Sequence, residues 1–387
     1  MATFKQYQKK NGKNAWQFQA YLGTHPVTNE RIKTTRRGFR TKKEAQVALS
    51  RLQVDFEKSN LQLSGKPSLT FQELYDLWLK QYRLKVKPST IATSRRFVED
   101  YCLQYFGKLK LDKITVSYCQ EIVNKWHSQY KQYYYFRKIV AQILQFGIKM
   151  EIIDSNPMRK TELPRKIEVE QFPNFYTKEQ LETFFNCLED HIEKSGRTST
   201  KLLAFFRLLA FTGMRKSEAL ALQWQDIDFF NHKLTIGKTL AVDENGQIIV
   251  QEPKTKSSQR VNMLDQKTVE ILKQWRKNQK SWYFNLGYNT SKESQYLFTN
   301  KFNGLYYPQA PNDWLYNILE KYELSKITLH GFRHTHASLL FESGANLKEV
   351  QDRLGHKDVK TTMNIYAHVT PEKMKETGER FANYVNF

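Results

Sequence analysis

The stretch Phe211-Thr-Gly-Met-Arg-Lys-Ser-Glu-Ala-Leu220 decides how the rear of the chain is interpreted. An apolar run precedes it, Gly213 interrupts the chain, and a helix rich in Ala and Leu is predicted to follow. Arg215 therefore stands in the turn that opens this helix. Because a planar guanidinium group binds phosphate through two parallel hydrogen bonds, this turn is a candidate anion site.

A second basic motif lies downstream, in His330-Gly-Phe-Arg-His-Thr-His-Ala337. Its first histidine and its arginine are three residues apart, so they share one face of a predicted helix. Leu354-Gly355-His356 is predicted to be a helix end with a glycine cap that exposes the imidazole. Tyr366 follows ten residues later. Two arginines, two histidines and a tyrosine can transfer a phosphoryl group without a metal, because guanidinium groups neutralise the phosphate oxygens and a phenolate attacks.

The same histidines leave a metal site as an alternative. His330 and His334 have the spacing of two zinc ligands on one helix face. However, Arg333 stands between them and would repel a dication. We therefore expect no metal and no other cofactor, and we expect His336 to pack or hydrogen-bond inside the domain.

In order and spacing these motifs resemble the tyrosine recombinase (phage integrase) family. The resemblance implies that Arg215 and Arg333 clamp the scissile phosphate. It implies that His330 is the general base or hydrogen-bonding partner beside the phosphate, and that His356 is a further donor. Tyr366 is then the nucleophile, which forms a 3′-phosphotyrosyl bond and releases a 5′-hydroxyl group.

The family also carries a catalytic lysine on a β-hairpin between the two arginines, where it protonates the departing 5′-oxygen. The hairpin here contains Glu252-Pro-Lys-Thr-Lys-Ser-Ser-Gln-Arg260. Lys254, at the strand end, is the better match, and Lys256 is the alternative. Glu218 matches a family position that is expected to orient the first arginine. One departure follows the hairpin, where Pro-Leu is common in the family and this chain has Asn262-Met-Leu264.

Basic charge is concentrated in the front of the chain. The 387 residues include 61 Lys and Arg against 39 Asp and Glu, which gives a net charge of +22. Residues 1–169 carry 18 of these 22 excess charges. An excess of this size points to a polyanionic partner, most simply nucleic acid. The nearly balanced remainder has the size of an enzyme domain.

The pattern predicts a multidomain fold of three parts. Residues 1–60 are expected to form a small three-stranded β-sheet plus a helix that begins at the capping box Thr41-Lys-Lys-Glu44. Residues 68–160 have helical periodicity and are expected to form an all-α domain. Residues 174–387 are expected to form a mixed, mainly-α domain with a small antiparallel sheet and a C-terminal tail.

The resemblance implies that these parts are an arm-type DNA-binding domain, a SAM-like core-binding domain and a tyrosine recombinase catalytic domain. The basic side chains of the first two domains are the predicted DNA contacts. They are Lys10, Lys33, Arg36, Arg37, Lys87, Arg95, Arg96, Arg137 and Lys138.

The resemblance therefore implies a site-specific integrase of a phage or mobile element. A DNA-binding regulator on a degenerate recombinase scaffold is one alternative, but the complete set of six catalytic matches argues against it. A metal-dependent nuclease is another, and activity that survives a chelator would exclude it. An Xer-type resolvase fits less well, because such enzymes generally lack the extra domain at 1–60.

The expected partners follow from the chemistry of strand exchange. Four protomers around two duplexes predict a homotetramer on double-stranded DNA that carries core and arm attachment sites. The tail after Tyr366 is expected to dock on a neighbouring subunit. An excisionase and a host DNA-bending protein are further expected partners. No apolar run approaches the ~20 residues of a membrane span, and the three cysteines form no CxxC motif, so we expect a cytoplasmic, nucleoid-associated protein.

Overall fold

The structure is a computed structural model that describes residues 2–9, 14–24, 31–58, 69–165, 174–195, 200–253, 258–360, 362–363 and 384–385. Lys10, Lys254 and Tyr366 lie outside these residues, as does most of the predicted tail. The chain divides into two compact units. One comprises Met1–Lys85 and Ser94–Arg165, and the other comprises Val86–Thr93 and Lys166–Phe387.

The chain begins with the predicted sheet and helix. Strands β1 (Ala2–Gln8), β2 (Asn14–Thr24) and β3 (Arg31–Phe39) form an antiparallel sheet in the order β1-β2-β3. Helix α1 follows at Lys42–Lys58. The three-stranded sheet plus one helix is therefore confirmed.

Alternation along β2 decides which face of the sheet is covered. Phe18 and Ala20 are buried against Ala45 and Leu49 of α1. Successive side chains of a strand point to opposite faces, and paired residues share a face. The opposite, open face is therefore polar and basic. It carries Thr3, Lys5, Gln17, Gln19, Lys33, Thr35 and Arg37.

The strand register places the side chains of this sheet that were predicted to contact DNA on two different faces. Lys33 and Arg37 lie on the open face, opposite Tyr21 and Gln17 of β2. Arg36 pairs with Phe18 and therefore lies on the face that packs on α1. The sequence places the two neighbouring arginines together, whereas the sheet directs them to opposite faces.

The region that was predicted to be all-α is helical from Phe71 onward. The predicted helix Pro88–Phe106 contains one π-helical turn at Val98–Cys102, which divides it into α3 and α4. In the aromatic run that begins at Tyr133, the rings of Tyr133 and Phe136 are buried core groups. The helices are α2 (Phe71–Arg83), α3 (Pro88–Phe97), α4 (Leu103–Phe106), α5 (Val116–Gln129) and α6 (Tyr133–Lys149).

The rear of the chain is mainly helical with two small antiparallel sheets. Strands β4, β5 and β8 form one sheet in the order β4-β5-β8, and β6 pairs with β7. The helices are α7 (Lys178–Ser195), α8 (Thr200–Thr212), α9 (Lys216–Leu220), α10 (Gln266–Asn285), α11 (Ala310–Lys321), α12 (Leu329–Glu342) and α13 (Leu347–Leu354). The strands are β4 (Ile227–Asp228), β5 (Lys233–Ile236), β6 (Thr239–Val242), β7 (Ile248–Gln251) and β8 (Arg260–Met263). Among the described residues no helix is both long and apolar enough to cross a bilayer.

Helix α8 is the centre of this core and positions the site. The ring of Phe332 on α12 lies 5.7 Å from Phe206 on α8 and 5.0 Å from Phe184 on α7. These aromatic contacts fix α12 against α8. As a result, the C-terminal end of α8, which leads to Arg215, meets the helix that carries His330 and Arg333.

Gly213 is required at the end of α8. Its φ of +63° is in the left-handed region, which favours glycine. A Cβ atom there would lie 2.5 Å from Leu354 Cδ2 and 2.7 Å from His336 Cδ2. The turn therefore combines an unusual backbone conformation with a close approach of α12 and α13.

We expect Gly213→Ala to destabilise the catalytic region more than Gly246→Ala. Gly246 also has a positive φ, +78°, but a Cβ there meets nothing within 4 Å. Backbone strain alone costs about 1–2 kcal/mol, and overpacking adds about 1–3 kcal/mol at Gly213. Urea unfolding followed by tryptophan fluorescence measures the difference. Equal losses of unfolding free energy in the two variants would show that the close approach at Gly213 does not add to the cost of the substitution.

Candidate active site

Glu218 holds the first arginine of the site. Its Oε1 accepts a hydrogen bond from Arg215 Nη1 at 2.8 Å, and its Oε2 accepts one from the Arg215 backbone N–H at 2.9 Å. The carboxylate is buried, whereas two-fifths of the Arg215 side chain stays exposed. Burial alone would raise the pKa of Glu218, but Arg260, Arg215 and the backbone N–H outweigh it and lower the pKa. Glu218 therefore orients Arg215, as predicted.

Arg333 is almost completely buried, with 1% of its surface exposed. Its Nη1 donates to Gly213 O and its Nη2 donates to Leu354 O, both at 2.7 Å. Within the part of the chain that the structure describes, its Nε–H has no hydrogen-bond partner. Burial, followed by repulsion from Arg215 and Arg260, lowers the pKa of Arg333 to about 9. The guanidinium is thus held rigidly and keeps an unused donor.

The two predicted histidines stand beside these arginines. Loss of hydration, then His334, Arg333 and Arg215, lowers the pKa of His330 to about 4. Loss of hydration and the same two arginines lower the pKa of His356 to about 3. Both imidazoles are therefore neutral at pH 7. The structure brings together four of the six predicted catalytic residues, and the other two, Lys254 and Tyr366, lie outside the described residues.

The cluster carries an excess of positive charge. Within the part of the chain that the structure describes, Glu218 is the carboxylate among these groups, and both of its oxygens are occupied by Arg215 and Arg260. No carboxylate of the described residues pairs with Arg333. A cation in this environment is stabilised by an anion that enters the site. The arrangement can therefore bind a phosphodiester.

Arg260 is a residue of the site to which the sequence analysis assigned no role. Only 5% of its side chain is exposed. Its Nη2 donates to Glu218 Oε2 at 2.9 Å, and its Nε donates to Arg353 O at 3.0 Å. Its Nη1 donates to Ser258 O at 3.1 Å. Arg260 is the last residue of the stretch 252–260 that was assigned to the lysine hairpin, and this position was the sequence signal that could have identified it.

A second unassigned arginine, Arg353, fixes the protonation of His336. Arg353 Nε lies 3.0 Å from His336 Nε2, and His336 Nδ1 lies 2.8 Å from Ala210 O. Because arginine only donates, Nε2 accepts and Nδ1 carries the proton. His336 is thus an internal hydrogen-bonding group, as expected, and links α12 to both α8 and α13.

The departure at Asn262 also has a structural explanation. Its side chain is buried and donates from Nδ2 to Thr212 O at 3.0 Å. This bond joins β8 to the end of α8, beside the turn that leads to Arg215.

The side chains of the helical region that were predicted to contact DNA make different contacts within the protein. Arg137 donates to Thr161 Oγ1 at 2.8 Å and to the Thr161 carbonyl at 2.9 Å, so its guanidinium supports the fold. Arg95 pairs with Glu99 at 2.7 Å. The Arg96 guanidinium lies 5.6 Å from the ring of Phe97. Lys138 lines a basic groove between α2 and α6, together with Trp78, Tyr82, Lys85 and Lys149.

Lys87 is engaged with a different part of the chain. Its Nζ donates to Glu252 O and Pro253 O, both at 2.9 Å. Lys87 and these carbonyls belong to the same compact unit. The lysine therefore contacts the hairpin that leads to Lys254.

Three family models cover the chain in order. An arm DNA-binding domain matches residues 5–56, and a phage integrase N-terminal SAM-like domain matches 70–127. The phage integrase family model matches residues 174–373, which is more than half of the chain. The chain belongs to the phage integrase family. It is a tyrosine-type site-specific recombinase that binds DNA.

Curated relatives match this integrase over nearly its whole length. The chain is 27% identical to the ICEBs1 integrase of Bacillus subtilis over 385 residues, which covers 96% of this chain and 98% of the relative. It is 26% identical to the integrase of Staphylococcus phage L54a, which covers 85% of this chain and 98% of that protein. The relatives therefore include integrases of both conjugative elements and phages.

Solved structures share the fold. The Tn1549 transposon integrase superposes with a TM-score of 0.65 at 22% identity, which covers 81% of this chain and 100% of that chain. A lambda integrase dimer bound to a core site gives 0.58 at 15% identity, with 93% of each chain covered. The folds agree although most side chains differ.

We expect acid to destabilise the integrase through its site histidines. Their pKa values in the folded state, about 4 for His330 and about 3 for His356, lie below the unfolded value of about 6.5. The unfolded chain therefore binds more protons, and stability is lost as the pH falls from 6.5 toward 4. Urea unfolding at several pH values measures this slope. Inorganic sulfate, an anion for the arginine cluster, should reduce it.

The matched control for this prediction is the variant His330→Gln with His356→Gln. It should lose stability less steeply on acidification, by about one proton for each histidine removed. An unchanged slope would mean that these imidazoles titrate normally in the folded protein.

Proposed function

We propose that this integrase cleaves and rejoins DNA at attachment sites through a 3′-phosphotyrosyl intermediate, in order to integrate and excise a phage or mobile element. The observation that carries the proposal is the environment of the Arg333 side chain. Its guanidinium is buried beside Arg215, and among the described residues it has no carboxylate partner and its Nε–H has no acceptor. A scissile phosphate supplies both the missing negative charge and the missing acceptor.

Each side chain then has a place in the step. Tyr366 Oη attacks phosphorus, so that a Tyr–phosphate bond forms while the bond to the 5′-oxygen breaks. Arg215 and Arg333 stabilise the charge that develops on the non-bridging oxygens. His330, which is neutral at pH 7, accepts a proton or a hydrogen bond on the attacking side. Lys254 delivers a proton to the departing 5′-oxygen, and a 5′-hydroxyl reverses the step when strands are rejoined.

Relatives support a higher-order complex on DNA. The lambda integrase has been solved as a tetramer bound to a Holliday junction, and its fold matches this chain with a TM-score of 0.54. The Tn1549 integrase has been solved in complex with transposon right end DNA. We propose that this chain likewise acts as a homotetramer on core and arm sites in the bacterial nucleoid, with its tail docked on a neighbouring subunit. An excisionase and a host DNA-bending protein remain proposed partners.

The nucleophile is tested with a nicked duplex that carries the core of the attachment site. In the presence of EDTA, the wild-type protein should form a covalent band on a denaturing gel. Tyr366→Phe should form none, whereas Tyr316→Phe, which changes an exposed tyrosine on α11, should behave like the wild type. Arg333→Lys should slow the reaction at least about 100-fold, because one transition-state donor is commonly worth that much.

A covalent band from Tyr366→Phe would show that another residue is the nucleophile. If the wild type binds a verified site but never forms the band, the regulator on a recombinase scaffold becomes the better interpretation. Loss of the wild-type band in EDTA would instead favour a metal-dependent enzyme.

The N-terminal sheet has the size and chemistry of a major-groove ligand. Adjacent strands lie about 4.8 Å apart, so β1 to β3 spans about 10 Å, and the major groove is about 12 Å wide. The strands contain no Asp or Glu. Lys33 and Arg37 flank the amides of Gln17 and Gln19 on the open face. We propose that this face lies in the major groove of the arm sites.

The two faces of the sheet provide a matched test. Arg37→Ala and Lys33→Ala should each weaken binding to arm DNA and lower the salt dependence by about one unit, because each removes a phosphate contact. Arg36→Ala, on the face toward α1, should change neither quantity. Gel shifts over a range of salt concentrations measure both. Equal effects of Arg36→Ala and Arg37→Ala would contradict docking through the open face.

A further inference from the structure

The segment 254–257 joins the strands β7 and β8 and contains Lys254. The structure describes the residues on both sides of it, Pro253 and Ser258. A basic side chain from a distant part of the same compact unit binds two carbonyls before the segment, and a basic side chain two residues beyond Ser258 binds the carbonyl after it. The two contacts are made by Lys87 and Arg260.

Lys87 fixes the first end of the segment. Its ammonium group donates to the carbonyls of Glu252 and Pro253, both at 2.9 Å. Two residues further along, Ser89 Oγ accepts a hydrogen bond from Gln251 Nε2 at 3.2 Å. Hydrogen bonds from a charged donor are stronger than neutral ones, so the start of α3 is a firm anchor for the end of β7.

Arg260 fixes the second end. One guanidinium group reaches Ser258 O, Glu218 Oε2 and Arg353 O. Because the group is planar and rigid, these three acceptors hold one another in place. The end of the lysine segment is thereby tied to the partner of Arg215 and to the helix end that precedes His356.

We propose that Lys87 and Arg260 are positioning residues that hold both ends of the segment 254–257, so that Lys254 reaches the departing 5′-oxygen. The proposal rests on the function proposed above. A general acid must come within hydrogen-bond reach of the atom that it protonates. Fixed residues on both sides of a four-residue connection limit the distance that any side chain carried by such a connection can reach.

Each residue also has a simpler interpretation. Lys87 would be a phosphate contact, as the sequence suggested. Arg260 would only neutralise the buried carboxylate of Glu218. These interpretations predict different kinetics, because neither links its residue to the delivery of a proton.

A DNA substrate with sulfur in place of the bridging 5′-oxygen distinguishes the positioning role from these simpler interpretations. In the ordinary step the P–O5′ bond breaks and O5′ takes a proton from Lys254. In the sulfur substrate the P–S bond breaks and the sulfur leaves as a thiolate, which needs no proton because the pKa of a thiol is about 8.5. A variant that fails only in proton delivery is therefore restored by sulfur.

The experiment measures single-turnover formation of the covalent complex at saturating DNA, with matched oxygen and sulfur substrates. On oxygen, Arg260→Met, Lys87→Met and the reference variant Lys254→Met should each be slower than the wild type, by about tenfold or more. On the sulfur substrate, the rates of all three variants should lie within about threefold of the wild-type rate. The remaining difference is then much smaller than the slowing on the oxygen substrate. Arg215→Lys should be slow on both substrates. Lys233→Met, which removes an exposed lysine on β5, should match the wild type on both.

A double variant guards against misfolding, because Arg260→Met leaves Glu218 buried without one of its partners. Glu218→Gln with Arg260→Met removes both charges and is compared with Glu218→Gln alone. If Arg260 positions the segment, the double variant is slower than the single one on oxygen and equal to it on sulfur. If Arg260 only neutralises Glu218, the two variants are equal on both substrates, and the proposal for Arg260 is overturned.

Two further outcomes would overturn the proposal. Sulfur that restores Lys254→Met but neither Arg260→Met nor Lys87→Met would show that these residues do not act through the lysine. For Lys87→Met, a normal rate at saturation with weaker DNA binding and a salt slope lower by about one would identify a phosphate contact. If the wild type forms no covalent complex on either substrate, the proposed function itself is refuted. This outcome differs from those that overturn only the positioning role.

Discussion

The carboxylate of Glu218, shared between Arg215 and Arg260, is the interaction on which the rest of the site depends. It is the buried negative charge in a cluster of guanidinium groups. Removal of one partner from a buried, hydrogen-bonded ion pair commonly costs about 3–5 kcal/mol, because the other charge is left without compensation. Here the cost would extend beyond stability, since the same carboxylate sets the direction of Arg215 and, through Arg260, anchors the end of the lysine segment.

The second arginine is held in a different way. Arg333 donates to carbonyls at the C-terminal ends of α8 and α13, where the helix dipoles place partial negative charge. These dipoles offset only part of its charge. Burial and the neighbouring arginines therefore still lower its pKa, and its Nε–H has no acceptor among the described residues. One arginine is oriented by a carboxylate and the other by backbone carbonyls, and both leave donors for an incoming phosphate.

This arrangement aligns the donors of the site before DNA arrives. The hydrogen bonds of Arg260, Arg333 and Arg353 connect α8, α12, α13 and the start of β8. Gly213 permits these elements to approach closely. Donors that are already aligned do not have to reorganise during the reaction, which is the main source of electrostatic catalysis. The repulsion among the cations is relieved when an anion binds, so the same cluster that destabilises the free protein favours its complex with DNA.

Local patterns of residues were enough to predict several parts of this protein. Helical periodicity and capping residues predicted most helices, and the strand pattern predicted the N-terminal sheet. The motifs around Arg215, His330, Arg333 and His356 resemble those of a known family, and this resemblance indicated the candidate site. Only the tertiary structure decided contacts between distant positions. Arg36 and Arg37 point to opposite faces because side chains alternate along a strand, and the packing of α1 on one face decides that Arg37 lies on the open one. Lys87 meets carbonyls 165 and 166 positions away, and Arg260 meets a carboxylate 42 positions away. Such contacts depend on how helices and strands pack, which no local pattern of residues encodes.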